Sequence, residues 1–144
     1  MQIKTLSMSL SDKSICTQVP KEDLFLVWQQ CSPLLEKALD GTYNINDILK
    51  GIEENRFQLF ISWNNNKVES AIITEIASYP RTKILRYVLA GGTNLESWLD
   101  SIQEVIEKFA KINNCNQVEV AGRSGWKKKL KGFSQKAILL SKEI

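Results

Sequence analysis

Three strand-like runs that follow one another closely between residues 57 and 89 constrain the fold of this chain more than any other feature. Residues 57–63 and 68–77 flank an asparagine-rich turn at 64–67, where asparagine tolerates a positive φ. A short break at 79–82 leads into the third run, 84–89. Because such short connections join neighbouring antiparallel strands, the pattern predicts a three-stranded meander.

An amphipathic stretch and a fourth strand-like run follow the meander. Apolar residues recur at steps of three and four from Leu95 to Phe109, which predicts a helix over 95–113. Residues 117–121 again resemble a strand. The order strand, helix, strand predicts a right-handed crossover in which 84–89 and 117–121 run parallel.

The rest of the chain completes an α+β pattern with a mixed sheet, in the order β-α-α-β-β-β-α-β-α-β. We expect one domain over 1–144, with 1–13 as an irregular N-terminal extension. The other predicted elements are a strand at 14–19, a helix at 21–40 with a kink or break near Pro33, a helix capped by Asn44 and Asp47, a short helix at 125–130 and a last strand at 137–140.

Composition excludes several kinds of chemistry. The chain has no histidine, which rules out Ser-His-Asp and Cys-His catalysis and histidine-ligated zinc. Its three cysteines are scattered without a C-x-x-C pair, so we expect reduced thiols and no metal. No apolar run approaches the roughly 18 residues of a membrane span, and no secretory signal is evident, so we expect a cytoplasmic protein.

Charge is divided unevenly along the chain. Residues 1–107 hold 10 Lys/Arg and 14 Asp/Glu, whereas residues 108–144 hold 9 and 2. A basic C-terminal quarter can meet phosphate, nucleic acid or an acidic protein, or it can be an ordinary solvated surface. Nucleic-acid binding is the weaker hypothesis, because no known nucleic-acid motif is present.

Gly91 and Gly92 stand between the third strand-like run and the long helix. A strand, a glycine turn and a helix start can form an anion site, or simply a tight connection. Thr93 and Glu96 fit a capping box, which would occupy two amides that a phosphate needs. At about 4 Å and an effective dielectric of ~20, the Glu96 carboxylate would repel each phosphate charge by roughly 4 kcal/mol. The tight connection is therefore the favoured interpretation.

Four segments resemble a family of small GNAT-like proteins of tailed phages and prophages. They are TEIASYP at 74–80, ILRYVLAGG at 84–92, ESWLDSIQEVIEKFAKINNC at 96–115 and VEVAGRSGWKKKLKGF at 118–133. The resemblance implies the fold of the GNAT acetyltransferases and, as partners, other proteins of the phage particle, with the virion as a second location besides the host cytoplasm.

In GNAT enzymes, coenzyme A lies between the strands that correspond to 84–89 and 117–121, with its pyrophosphate at the start of the following helix. The resemblance thus implies acetyl-CoA as the cofactor. It places Leu89, Gly91, Gly92, Thr93, Asn94 and Arg123 around that cofactor. The family's Q/R-x-x-G-x-G/A signature is absent, and Lys128 stands where the family offers a tyrosine. Weak or absent binding is therefore expected.

Two side chains are candidates for catalysis. Glu75 is a carboxylate in an apolar strand, and burial would suit it to act as a general base. The alternative, which we favour, is an ion pair with Arg86 on the adjacent strand. Tyr79 can contact substrate or provide a hydroxyl, or it can pack beside Pro80.

Three further candidates follow the fourth strand-like run or stand beside it. Arg123 can hold a phosphate or carboxylate at the strand ends, or pair with Glu119 or Glu96. Trp126 can wall the same cleft or pack in the core. The candidate contacts to a substrate or partner are Arg86, Trp126 and Lys128.

The sequence therefore predicts a GNAT-fold phage protein, acetyltransferase-like with a degenerate coenzyme A loop, associated with the virion or its assembly. An active acyl-CoA-dependent N-acyltransferase acting on an amine or a protein is the alternative. The sequence does not indicate an oligomeric state.

Overall fold

A mixed five-stranded sheet forms the centre of the computed structural model, which describes residues 14–122 and 126–144. The irregular extension expected at 1–13 lies outside the described residues. The strands stand in chain order across the sheet. They are β1 (Ile15–Val19), β2 (Phe57–Asn64), β3 (Lys67–Ser78), β4 (Lys83–Gly92) and β5 (Gln117–Val120). Pairing is antiparallel from β1 to β4, and β4 and β5 are parallel. The α+β class, the meander and the parallel crossover pair are confirmed.

Four helices accompany the sheet within the described residues. They are α1 (Leu24–Glu36), preceded by a 3-10 turn, α2 (Ile45–Glu53), α3 (Leu95–Ile112) and the short α4 (Trp126–Lys129). Helix α1 continues through Pro33 and ends at Glu36, so a break near residue 32 and an end at residue 40 were wrong predictions. The Asn44–Asp47 capping box is confirmed, with both reciprocal hydrogen bonds at 2.9 Å.

Each face of the sheet carries its own hydrophobic core. Helices α1 and α2 cover one face, where Cys31, Leu35, Ile48, Leu59 and Ile73 are fully buried. Helix α3 covers the other face. Its core contains Phe60, Leu85, Ile102 and Ile106. Because side chains alternate along a strand, Leu85 and Tyr87 face α3, and Arg86 between them faces the α1 side.

The last strand predicted at 137–140 is not formed. Residues 133–144 adopt no helix or strand, and the predicted strand residues are exposed, Ile138 by 76%, Leu139 by 86% and Leu140 by 87%. The prediction was wrong because a four-residue apolar run becomes a strand only where a partner strand satisfies its backbone, and no described strand lies beside it.

Candidate active site

Strand β5 ends at Val120, so its pairing with β4 stops halfway along β4. Their pairing runs from Ile84 opposite Gln117 to Tyr87 opposite Val120, whereas β4 continues to Gly92. Val88 is a β-bulge, because Leu89 pairs with Ile73 and Tyr87 pairs with Thr74. A bulge bends its strand and increases the local twist. Beyond the end of β5, one edge of β4, residues 88–92, has no strand partner among the described residues, and we call the space beside this edge the gap.

The two glycines at the end of β4 serve close packing of backbone. A Cβ added to Gly91 would collide with the Leu34 carbonyl of α1, and one added to Gly92 would come within 2.5 Å of the Glu69 carbonyl of β3. Neither glycine is among the residues with a positive φ. Close packing of backbone within β4, and not the turn itself, therefore accounts for both glycines.

The capping box predicted for Thr93 and Glu96 is wrong. The N-cap of α3 is Asn94, in the left-handed region at φ 54°, and no side chain caps this end of the helix. The Thr93 N–H instead donates to the Glu69 carbonyl at 2.9 Å. Because Thr93 stays hydrogen-bonded to β3, the helix begins one residue later, and Glu96 is exposed. The amides at the start of α3 are thus not occupied by the predicted cap.

Glu69 shapes the β4–α3 connection and was missed in the sequence. Its side chain accepts hydrogen bonds from Ser14 Oγ at 2.5 Å and from Asn94 Nδ2 at 2.9 Å. The residue is only 7% exposed. The available signal was the one that identified Glu75, a carboxylate within an otherwise apolar strand. The hydrogen bond from Asn94 thus ties the left-handed residue before α3 to β3.

A cleft of about 520 Å³ opens at the start of α3. Its lining includes Glu69, Asn94, Glu96 and Ser97, and Lys129 of α4. The helix dipole and free amides favour an anion there, as does the Lys129 ammonium, whereas the two carboxylates oppose it. The cleft can therefore accept a phosphate-bearing ligand, with an affinity lowered by the carboxylates.

A polar cluster centred on Arg86 lies just before the gap, on the α1 side of the sheet. The Arg86 Nε donates to Glu119 Oε1 at 2.7 Å, Nη1 to Glu75 Oε1 at 3.4 Å, and Nη2 to the Tyr79 hydroxyl at 3.2 Å. The hydrogen bonds that Arg86 donates, to Tyr79 and Glu119 above all, raise its pKa above the usual value. Arg86 is two residues from Val88, or roughly 7 Å along the strand.

The structure thus brings the two predicted catalytic residues, Glu75 and Tyr79, to one guanidinium. The ion pair favoured for Glu75 and Arg86 is confirmed, although it is the longest of the three contacts. Tyr79 is 50% exposed and uses its hydroxyl, so packing beside Pro80 does not describe its main contact. Glu119 also binds Arg86; its predicted alternative pairing with Arg123 falls outside the described residues.

The other predicted residues lie elsewhere. Arg123 falls outside the described residues. Trp126 is half-buried and lies against Gly122, where an added Cβ would be 3.0 Å from its ring. Lys128 is exposed and does not line the cleft at the start of α3; its neighbour Lys129 does. The lysine run was visible in the sequence, but the member that faces the cleft depends on how α4 is placed.

Over 14–122 and 126–144, no three His, Cys, Asp or Glu side chains are grouped to hold a metal ion. None of the helices within these ranges has the length and apolar character needed to cross a bilayer.

Several solved acetyltransferase structures are similar to this chain. An aminoglycoside acetyltransferase from an uncultured soil metagenomic sample, in complex with sisomicin, is 13% identical with a TM-score of 0.71, and the match covers 94% of this chain and 98% of that one. A GNAT family acetyltransferase from Staphylococcus aureus is 15% identical with a TM-score of 0.65, over 92% and 99% of the two chains. A predicted acetyltransferase from Clostridium acetobutylicum, with acetyl-CoA, is 13% identical with a TM-score of 0.64, over 90% and 96%.

No protein-family model matches the sequence, and no curated protein matches it significantly. At identities this low, the structural likeness establishes the fold alone. The chain therefore has the fold of the GNAT acetyltransferases.

Proposed function

We propose that the chain binds an acyl-coenzyme A in the gap between β4 and β5 and transfers its acyl group to an amine. The observation that carries the proposal is that β5 ends opposite Tyr87, which leaves the edge of β4 at 88–92 without a strand partner in the part of the chain that the structure describes. An unpaired strand edge offers N–H and C=O groups to an extended amide ligand, and pantetheine is such a ligand.

The start of α3 fits the other end of the cofactor less well. The uncapped first turn, with Leu95 and Glu96, and the Lys129 ammonium would hold the diphosphate. The carboxylates of Glu69 and Glu96 line the same cleft and repel it. We therefore expect acyl-coenzyme A to bind more weakly than it would without these two carboxylates.

The polar cluster supplies groups for acyl transfer. When bound, the thioester would supply an activated acyl carbon for attack by the amine. Glu75 would take the proton that the attacking nitrogen loses, because its contact with Arg86 is long and one carboxylate oxygen carries no hydrogen bond to a described residue. The Tyr79 hydroxyl accepts from Arg86, which leaves its own proton free to donate to the departing thiolate.

Isothermal titration with acetyl-CoA tests the proposal. We expect one-to-one binding with a Kd of about 10–100 µM, or about −6 kcal/mol. Glu96→Ala should tighten binding about two- to fivefold, because it removes one exposed carboxylate from the cleft. Asp100→Ala, one turn further along α3 and paired with Lys131, is the matched control and should change the Kd less. Absence of heat at millimolar acetyl-CoA would contradict the proposal.

A non-catalytic role in a phage particle is the second candidate. It is favoured by the two carboxylates at the start of α3 and by the four residues of α4, which include no tyrosine. In this role, the fold would serve as a surface that contacts other virion proteins. Mass spectrometry of purified particles tests it, with the chain expected at a fixed ratio to a known structural protein. Its absence from washed particles would exclude this role.

A further inference from the structure

Two polar side chains are buried between α3 and the sheet without a hydrogen-bond partner. Tyr87 of β4 is 9% exposed, and Gln103 of α3 is 5% exposed. Neither the Tyr87 hydroxyl nor the Gln103 Oε1 has a partner within residues 14–122 and 126–144. Most buried polar groups are hydrogen-bonded, because leaving one unpaired costs stability. Two such groups on one face of the sheet therefore indicate a site for a polar ligand.

The two groups border the same region between β4 and α3. The Tyr87 ring packs in the core beneath α3, together with Ile102 and Ile106. The charge of Glu107 on α3 reaches Tyr87. Gln103 precedes Glu107 by four residues, so the two side chains leave the helix on the same face, one turn apart. Tyr87 and Gln103 thus form the polar part of an otherwise apolar core.

This polar part of the core adjoins the inner end of the gap. Tyr87 is the last residue of β4 that pairs with β5, and the open edge begins at the next residue, Val88. Helix α3 runs back along β4 from their connection. Gln103 lies about 12 Å along the helix axis from its start, and Val88 lies about 13 Å along the strand from its end at Gly92. Gln103 is therefore level with Val88.

The acyl group is the part of the proposed ligand that reaches this position. The open backbone edge at 88–92 serves the amides of the pantetheine arm, whereas Val120 of β5 pairs with Tyr87. Atoms beyond the thioester continue past the inner end of the open edge. They therefore meet the Tyr87 hydroxyl and the Gln103 carboxamide.

The two groups complement each other as a donor and an acceptor. The Tyr87 hydroxyl can donate a hydrogen bond, whereas the Gln103 Oε1 only accepts one. A hydroxyl on the acyl chain satisfies both, because its oxygen accepts from Tyr87 and its proton is donated to Gln103. A plain aliphatic chain leaves both groups unpaired, and the nearby charge of Glu107 opposes an anionic chain.

We propose that Tyr87 and Gln103 select acyl donors whose acyl chain carries an uncharged hydroxyl, in preference to plain aliphatic chains of the same length. This inference rests on the proposed function, since it concerns the donor that the gap would hold. A site that hydrogen-bonds a hydroxyl rejects the analogue without it much more strongly than an apolar pocket discriminates by size.

Isothermal titration of the full chain with 3-hydroxybutyryl-CoA and butyryl-CoA tests the selection. In the wild type, the Kd of the hydroxylated compound should be lower by about tenfold or more. Tyr87→Phe and Gln103→Met each remove one polar group with little change in volume, and should bring the two Kd values within about threefold of each other. Tyr43→Phe, against the core on the other face of the sheet, is the control and should keep the wild-type ratio.

The melting temperature separates this role from a structural one. Tyr87→Phe should melt no lower than the wild type, because the hydroxyl that it removes makes no hydrogen bond to a described residue. A melting temperature lowered by more than about 4 °C would show that the hydroxyl serves the fold, and would overturn the proposal.

The titrations also separate this inference from the proposed function. Equal Kd values for the two compounds in the wild type overturn the inference alone, as expected if an ordered water satisfies both groups. A wild-type ratio that persists in both Tyr87→Phe and Gln103→Met also overturns it. Absence of heat with either compound overturns the proposed function and this inference together.

Discussion

Arg86 is the residue that organises the candidate active site. Its guanidinium contacts Glu75, Tyr79 and Glu119, which come from three different segments of the chain. The shortest contact, at 2.7 Å, is with Glu119, so this carboxylate holds the arginine more firmly than Glu75 does. The cluster is about one-third exposed, so solvent screens these pairs and their contribution to stability is small. Their value lies in positioning the Glu75 carboxylate and the Tyr79 hydroxyl.

At the residue scale, Glu75→Gln tests the role of the base. In an assay that measures release of free coenzyme A in the presence of a polyamine acceptor, turnover should fall by about 10²- to 10⁴-fold because the proton acceptor is lost. The Kd for acetyl-CoA should not change. Glu119→Gln keeps the shape of the cluster and serves as the matched control, with turnover within about tenfold of the wild type. Full turnover in Glu75→Gln would show that another group takes the proton.

At the element scale, the junction between β4 and α3 explains why Gly91 and Gly92 end the strand. Gly91 packs against the α1 backbone and Gly92 against β3, so β4 extends three residues beyond the predicted run at 84–89. The turn that the sequence placed at Gly91 and Gly92 is made by Asn94, which Glu69 supports. The connection is tight because backbone segments meet, and the first turn of α3 is left open as a consequence.

A pair of substitutions tests this junction. Gly91→Ala should lower the free energy of unfolding by about 1–3 kcal/mol, because its Cβ would overlap the Leu34 carbonyl and backbone must move. Thr93→Ala should change it by no more than about 0.5 kcal/mol, because Thr93 does not cap the helix. Urea denaturation of both variants measures the two values. A loss of about 1 kcal/mol in Thr93→Ala would indicate that the Thr93 side chain does cap the helix.

At the scale of the whole molecule, the cores on the two faces of the sheet bury thiols, and burial favours their protonated form. Burial raises the pKa of Cys31 to about 12, and burial together with the nearby Glu69 charge does the same for Cys16. Burial and the charge of Glu107 also raise the pKa of Tyr87. All three groups lie in the cores or against them.

Stability should therefore fall in alkali. Below about pH 9 both thiols are protonated in the folded and unfolded chains, and their contribution is fully present. Between about pH 9 and 12 the unfolded chain releases protons that the folded chain keeps, so each buried thiol lowers the free energy of unfolding by about 1.4 kcal/mol per pH unit. Urea denaturation at pH 8, 9.5 and 10.5 measures the slope. Cys31→Ala should make it shallower, and a flat profile in the wild type would contradict the expectation.

Much of the fold could be predicted because its elements depend on local patterns. The alternation along β2 and β3, the helical spacing of α3 and the Asn44–Asp47 cap each reflect neighbours within a few residues. The pairing of Glu75 with Arg86 followed from the same meander, since β3 and β4 are adjacent strands. Only tertiary contacts could show that Glu119 completes this cluster, because β5 arrives beside β4 through a crossover of some 25 residues.

Local patterns in the sequence are sufficient to predict the order of the elements from β1 to α4 and the pairing of the central strands, and the composition excludes histidine chemistry. These follow from side-chain period and turn chemistry, which act over short distances along the chain. The tertiary structure alone decided where α3 begins, which carboxylates face its first turn, and that 137–140 remains outside the sheet. Each of these depends on which backbone groups form hydrogen bonds with a distant segment of the chain, and a local sequence pattern does not show those contacts.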